Sequence, residues 1–261
     1  MEDKKVLRFK FKKYGPVVYI GHLDIMRFFQ KAMRRAHIPM KFSEGFHPHQ
    51  IMSFASPLGV GVTSQGEYLD IEITERVEPE DAIARLNEQM VEGVSIVSFT
   101  YLPDNAKNSM ASLAAANYLV YFKRGLDRSV DYVQAVADFY EGDGPINVIK
   151  KTKKSEKEMD IRPLILDMKA GAVGDLDALL PDGAADPRPY LPMEDDFCLG
   201  ATDPMFYLYL TSGSTDNLKP ELVMEALHTK LGVEFDSANL GIHRIDMFEA
   251  PDGSYRSFSA V

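Results

Sequence analysis

Tyr68-Leu69-Asp70-Ile71-Glu72-Ile73-Thr74 alternates apolar and polar side chains without a break. Period two is the repeat of a half-buried strand, so Leu69, Ile71 and Ile73 are predicted on one face and Asp70, Glu72 and Thr74 on the other. Upstream, residues 6–13 (Val-Leu-Arg-Phe-Lys-Phe-Lys-Lys) alternate in the same way until Gly15-Pro16 breaks the pattern. From His22 to His37 the period becomes helical, with Leu23, Met26, Phe29, Met33 and Ala36 on one stripe, and Pro39 ends the helix. Short strands are expected around Met40–Ser43 and Gln50–Ala55. Downstream, Glu78-Pro79-Glu80-Asp81 puts proline and acids in the first turn of a helix running to about Met90, and Val94–Tyr101 is a closing strand.

The order is strand, helix, strand, strand, helix, strand, which predicts a ferredoxin-like βαββαβ unit over residues 1–102. Residues 103–117 are polar and rich in Ala and Ser, the composition of a linker. The pattern then recurs over 118–250. Tyr118–Lys123, Ile146–Lys154, Phe206–Thr211 and Ile242–Phe248 read as strands, and Val130–Tyr140 and a segment starting at Asn217-Leu218-Lys219-Pro220-Glu221 as helices. An acidic, Pro/Gly/Ala-rich stretch near 166–200 reads as an insertion, and 251–261 as a frayed tail. The fold class expected is therefore α+β, with tandem ferredoxin-like domains.

A chain of 261 residues suits two domains, and its 45% apolar content suffices for two cores without staples. Cys198 is the only cysteine, which rules out an intrachain disulfide, a cysteine-rich zinc site or an iron–sulfur cluster. Met1-Glu2-Asp3-Lys4-Lys5-Val6 has no apolar run behind it, and no stretch reaches about 18 apolar residues, so neither secretion nor membrane spanning is expected and the expected location is cytoplasmic. The net charge of −10 is unevenly spread. Residues 1–54 hold eleven Lys/Arg against four acids, which leaves −17 on the remaining 207 residues. Such segregation suits a polyanion held on one face.

Glu44-Gly45-Phe46-His47-Pro48-His49 is the segment most suited to a ligand loop, with Glu67 as a further contributor. Histidines at i and i+2 point the same way in extended chain, so His47 and His49 are candidate acid–base or ligand groups. A metal needs a third protein ligand, from Glu44, Glu67 or His22, and no metal or other cofactor is assigned. His22, beside Asp24 at the start of a helix, is a further acid–base candidate. Leu58-Gly59-Val60-Gly61 has two glycines at dinucleotide-loop spacing but leads into a strand, so a nucleotide site fails on context. Arg27, Lys31, Arg34 and Arg35, three and four residues apart, form a basic helix face able to follow a phosphate backbone. Lys150, Lys151, Lys153 and Lys154 make a second basic run, and Phe42 and Phe46 are aromatics able to stack on bases. No P-loop, catalytic serine triad order or Cys-x-x-Cys motif is present.

Several motifs taken together resemble the radical-SAM-linked protein family, also called domain of unknown function 2344. They are Tyr19-Ile20-Gly21-His22-Leu23-Asp24, Arg34-Arg35-Ala36, Phe42-Ser43-Glu44-Gly45-Phe46-His47-Pro48-His49, Pro57-Leu58-Gly59-Val60-Gly61 and Gly66-Glu67-Tyr68-Leu69-Asp70. Asp160-Ile161-Arg162-Pro163, Leu218-Lys219-Pro220-Glu221 and His243-Arg244 extend the likeness into the C-terminal half. Where the commoner pattern reads Asn-Pro-His-Pro-Lys, this chain has His47-Pro48-His49-Gln50-Ile51 and so lacks its base.

The resemblance implies a partner rather than a reaction. Members are encoded beside, or fused to, a radical S-adenosylmethionine enzyme, often near ribonuclease or ribosomal genes. Without cluster cysteines, this chain would be the companion and not the radical generator. The leading expectation is a companion protein that binds RNA, transfer or ribosomal, through its basic N-terminal face; DNA is not expected. The alternatives are an RNA-processing or RNA-modifying enzyme using His22, His47 or His49, and a pure protein-interaction module. Fold analogy alone also links tandem ferredoxin-like units to the endoribonucleases that process CRISPR repeats.

Overall fold

The computed structural model describes residues 5–123, 129–151, 156–192, 199–214 and 216–260. It is a mixed α/β protein that divides into two compact units, 1–114 with 246–261 and 115–245. None of the described helices is long and apolar enough to cross a membrane.

The first unit runs β1 (Lys5–Lys13), α1 (His22–Arg35), β2 (Met52–Phe54), β3 (Thr63–Ile73), α2 (Pro79–Asn87), β4 (Val94–Tyr101) and a single turn, α3 (Ser109–Ser112). β1 lies between β4 and β3, antiparallel to both, and β2 pairs antiparallel with β3. The alternation works as expected. Leu7, Phe9 and Phe11 of β1 meet Leu69, Ile71 and Ile73 of β3 in a core closed by Ile25, Phe29 and Met33 of α1 and Leu86 of α2. The helix stripe is rotated from the one expected: Ile25 and Ala32 are buried, while Leu23 is 62% exposed. Met40–Ser43 makes only isolated bridges, Met40 to Ile73 and Phe42 to Gln50. Gly93 supplies the turn into β4 at φ +90°, where a Cβ would meet the Tyr14 carbonyl oxygen at 2.2 Å. No other residue type fits there.

On the other face of the sheet lies a buried polar layer. The Arg8 guanidinium donates to both carboxylate oxygens of Asp70, at 2.8 and 3.1 Å, and Asp70 also accepts from the Ser109 backbone N–H. The C-terminal residues close this layer instead of fraying. β11 (Arg256–Ser257) pairs with Phe248 and Glu249, and Phe258 is buried with the Arg8 guanidinium 4.4 Å from its ring centre.

The second unit begins inside the stretch expected as linker, because β5 (Leu113–Phe122) already starts at Leu113. α4 (Tyr132–Tyr140) follows, then β6 (Asn147–Lys151), β7 (Glu156–Asp160), β8 (Ile165–Ala172), α5 (Leu176–Leu179), β9 (Pro204–Thr211), α6 (Pro220–Leu231) and β10 (Leu240–Glu249). The strand order is β10-β5-β9-β8. Phe206 of β9 packs edge-on against Tyr132 of α4. On the opposite face, Met205 and Tyr207 pack with Leu176, Leu179 and Leu191.

Two expectations are corrected here. The described part of Ile146–Lys154 is not a strand of this sheet; among the described residues β6 pairs with β7, in a separate two-stranded sheet whose ladder sets Lys150 opposite Lys157 and Lys151 opposite Glu156. That charge density in the sequence suits a separate hairpin, not a sheet interior. The sheet position belongs to β8, inside the stretch expected to be an acidic insertion. Its alternation is short, confined to Leu166-Asp167-Met168-Lys169 ahead of Ala170-Gly171-Ala172, and a register shift falls between Ile165 and Asp167.

The base of the hairpin is locked to α4. Arg162 donates to the backbone carbonyls of Phe139, Tyr140 and Gly144, and Asp160 accepts from the backbone N–H groups of Ile146 and Arg162. The Asp160-Ile161-Arg162 motif is therefore a structural latch.

Candidate functional site

The basic residues of the first 54 positions divide sharply. Arg8 and Lys13 are buried, Lys10 pairs with Asp246 at 3.3 Å, and Lys41 sits 3.8 Å from Glu72. What reaches solvent as a group is the outer face of α1, carrying Arg27, Lys31, Arg34 and Arg35 opposite Ile25, Phe29, Ala32 and Met33. Arg27 holds Asp24 at 3.1 Å, an exposed pair of little energetic weight. Arg35 donates to the side chain and backbone of Gln89. Lys31 and Arg34 make no ion pair among the described residues. The placement also has a purely structural reason: Arg34 and Arg35 occupy the last turn, where cations complement the helix dipole.

Residues 44–49 form the exposed tip of a hairpin. Its neck is closed by the Ser43 hydroxyl 2.8 Å from His49 Nδ1, by the His49 N–H donating back to Ser43 Oγ at 3.1 Å, and by the Ser43 N–H donating to the His49 carbonyl at 2.8 Å. His49 therefore has a structural task, while His47 is exposed. Phe46 is 101% exposed and Phe42 47%, so neither contributes a ring to the core.

Glu67 is not part of that hairpin site. It is buried on β3 and lines a small pocket with Lys13, His22, Phe54 and Ser56; neither His47 nor His49 is among the lining residues. Lys13 donates to the carbonyls of Val18 and Ile20. Burial holds its ammonium below the ordinary lysine pKa, and the Glu67 charge partly offsets this. His22 stands edge-on to Phe54, 5.1 Å between ring centres. Burial, and then the Lys13 charge, keep its imidazole more acidic than usual, which favours the neutral ring. The space between them, about 10 Å³, is that of a single water, so a neutral imidazole there is able to exchange a proton with a water-sized group. Lys13 was missed from the sequence, although parity marked it: period two carries Leu7, Phe9 and Phe11 directly onto position 13.

Lys150 and Lys151 end β6, while Lys153 and Lys154 lie outside the described residues. No cluster of three or more His, Cys, Asp or Glu side chains suited to a metal occurs among the described residues. The second unit has an open cavity of about 540 Å³ between the hairpin and the helices, lined by Ile146, Val148, Leu222, Glu225 and Lys230 among others.

Fold and surface together define a mixed α/β protein that presents a basic helix, an aromatic hairpin tip and a small lysine–histidine–glutamate pocket on one unit. The chain belongs to the DUF2344 family, described as an uncharacterized protein conserved in bacteria, whose model matches residues 6–220. No curated protein matches it. Among solved structures it is similar to a chain of the crystal structure of a Cbf5-Nop10-Gar1 complex, at 9% identity and a TM-score of 0.43. That match covers 94% of this chain and 49% of the other, so this chain spans about half the length of its match.

Proposed function

We propose that this protein is a cytoplasmic, RNA-binding companion of a radical S-adenosylmethionine enzyme, and that α1 is the element that meets RNA. One observation carries the reading: α1 turns Arg27, Lys31, Arg34 and Arg35 outward on one face, and of the four only Arg27 is in an ion pair among the described residues. The scaffold in this reading is a pair of ferredoxin-like units. The strand orders β4-β1-β3-β2 and β10-β5-β9-β8 support it, each with the first and third strands of the motif at the centre. The radical-enzyme partnership rests on the motif resemblance.

The test is fluorescence anisotropy with transfer RNA and a ribosomal RNA fragment, using wild type and a triple variant Arg27→Glu, Lys31→Glu, Arg34→Glu. The expected result is a loss of more than about tenfold in affinity for the variant at moderate salt. Unchanged affinity would overturn the basic-face mechanism. Co-expression with the neighbouring radical enzyme, followed by size exclusion, tests the partnership separately.

A second reading is favoured by the Lys13–His22–Glu67 pocket: an RNA-modifying or RNA-processing enzyme in which His22 is the acid–base group. Intact-mass analysis of RNA incubated with wild type and His22→Ala decides it. A product formed only by the wild type supports this reading, and no product under any metal condition removes it.

A further inference from the structure

We propose that Phe46 is a stacking platform for an unpaired base, so that the preferred ligand is single-stranded or looped RNA and not a duplex; this rests on the RNA-binding reading above. The first core takes in Phe9, Phe11, Phe29, Phe54 and Phe99, yet leaves the Phe46 ring wholly in water. Burying such a ring would stabilise the fold, so a ring displayed on a closed hairpin is available for another partner.

The display is held at its neck. The Ser43–His49 clamp closes the neck, Gly45 turns the chain at φ +107°, and Pro48 fixes its own φ. Little conformational freedom then remains to be lost when something stacks on the ring. The surroundings favour a base over an apolar protein pocket. Positions 41–50 hold Lys, Phe, Ser, Glu, Gly, Phe, His, Pro, His and Gln, four aromatic rings and no Leu, Ile, Val or Met. Phe42, His47 and His49 are exposed with Phe46, so the tip offers several π faces on which successive bases can stack.

The chain contains no tryptophan, so Phe46→Trp places a single indole reporter at the tip. The full-length protein is titrated with a labelled single-stranded 12-mer RNA and with the same sequence as a blunt duplex. For Phe46→Ala the expected result is a loss of roughly 5- to 150-fold on the single strand, the equivalent of one stacked base, with duplex affinity and salt dependence unchanged. Phe46→Trp is expected to restore affinity and to lose fluorescence on binding, as a stacked indole does. If Phe46→Ala binds the single strand as wild type does while the triple α1 variant fails, RNA binding stands and the platform is refuted. Normal RNA affinity with loss of a co-purifying protein would assign the ring to a protein interface and also refute it. If the wild type binds neither RNA, the RNA reading falls and the platform with it.

Discussion

His243 is wholly buried on β10, its ring stacked parallel to Tyr190 at 5.8 Å, and burial pushes its pKa down to about 3. An unfolded histidine titrates near 6.5. Between those values the unfolded chain binds a proton that the native chain refuses, so native stability falls as pH drops below about 6.5 and continues to fall toward about 3. Each unit in that window removes up to roughly 1.4 kcal/mol. His22 and His228 are shifted in the same direction, chiefly by burial. Urea midpoints measured from pH 7 to 4 should therefore decline steeply for the wild type and less steeply for His243→Phe, whatever that substitution does to stability at pH 7. Parallel slopes would show that His243 takes up its proton in the native state. The residue pattern disclosed part of this arrangement: His243-Arg244 stood out as a motif, but only the fold reveals that position 243 points into the interior. The same limit applies to Glu67. Its charge suggested a ligand contact, whereas its place on β3 sinks it beside Lys13 and His22.

Elements of the first unit were legible because β1 and the second half of β3 alternate, β4 is a short, largely apolar run, and α1 and α2 carry proline, acid and breaker signals at their ends. The second unit was less so. β8 alternates only over Leu166-Asp167-Met168-Lys169 before the small residues Ala170-Gly171-Ala172, and its apolar cover, Val173, Leu176, Leu179 and Leu191, is scattered through acidic residues. The C-terminal segment misled for the opposite reason. Pro251-Asp252-Gly253-Ser254 reads as loose chain, yet it delivers Phe258 into the polar layer on β1 and β3. There Tyr68 accepts an edge contact from that ring at 5.1 Å and hydrogen-bonds to Asp246, while Ser259 reaches Lys10 at 3.0 Å. Phe258→Ala is expected to cost about 3–5 kcal/mol in chemical denaturation, the value of an aromatic removed from a packed interior. A loss under about 1 kcal/mol would mean that the segment frays in solution.

For the molecule as a whole, the relevant quantity is how many of its positive charges an RNA meets. Counting the first 54 residues gives eleven, but Arg8 and Lys13 are interior and Lys10 is engaged with Asp246. With four side chains of α1 at work, the logarithm of affinity for a single strand should fall against the logarithm of salt with a slope of about −3. Engagement of all eleven would give about −8. A salt titration separates the two cases, and the steeper slope would place the RNA footprint elsewhere. The charge asymmetry was readable from composition; which charges are free was not, because parity and burial decide that. The latch at Arg162 has a mechanical consequence. Three carbonyls around the end of α4 converge on one guanidinium, so force applied to the β6–β7 arm is delivered to the final turn of that helix. A lysine ammonium, without the spread of the planar guanidinium fork, would hold the three carbonyls less firmly and let the two move apart.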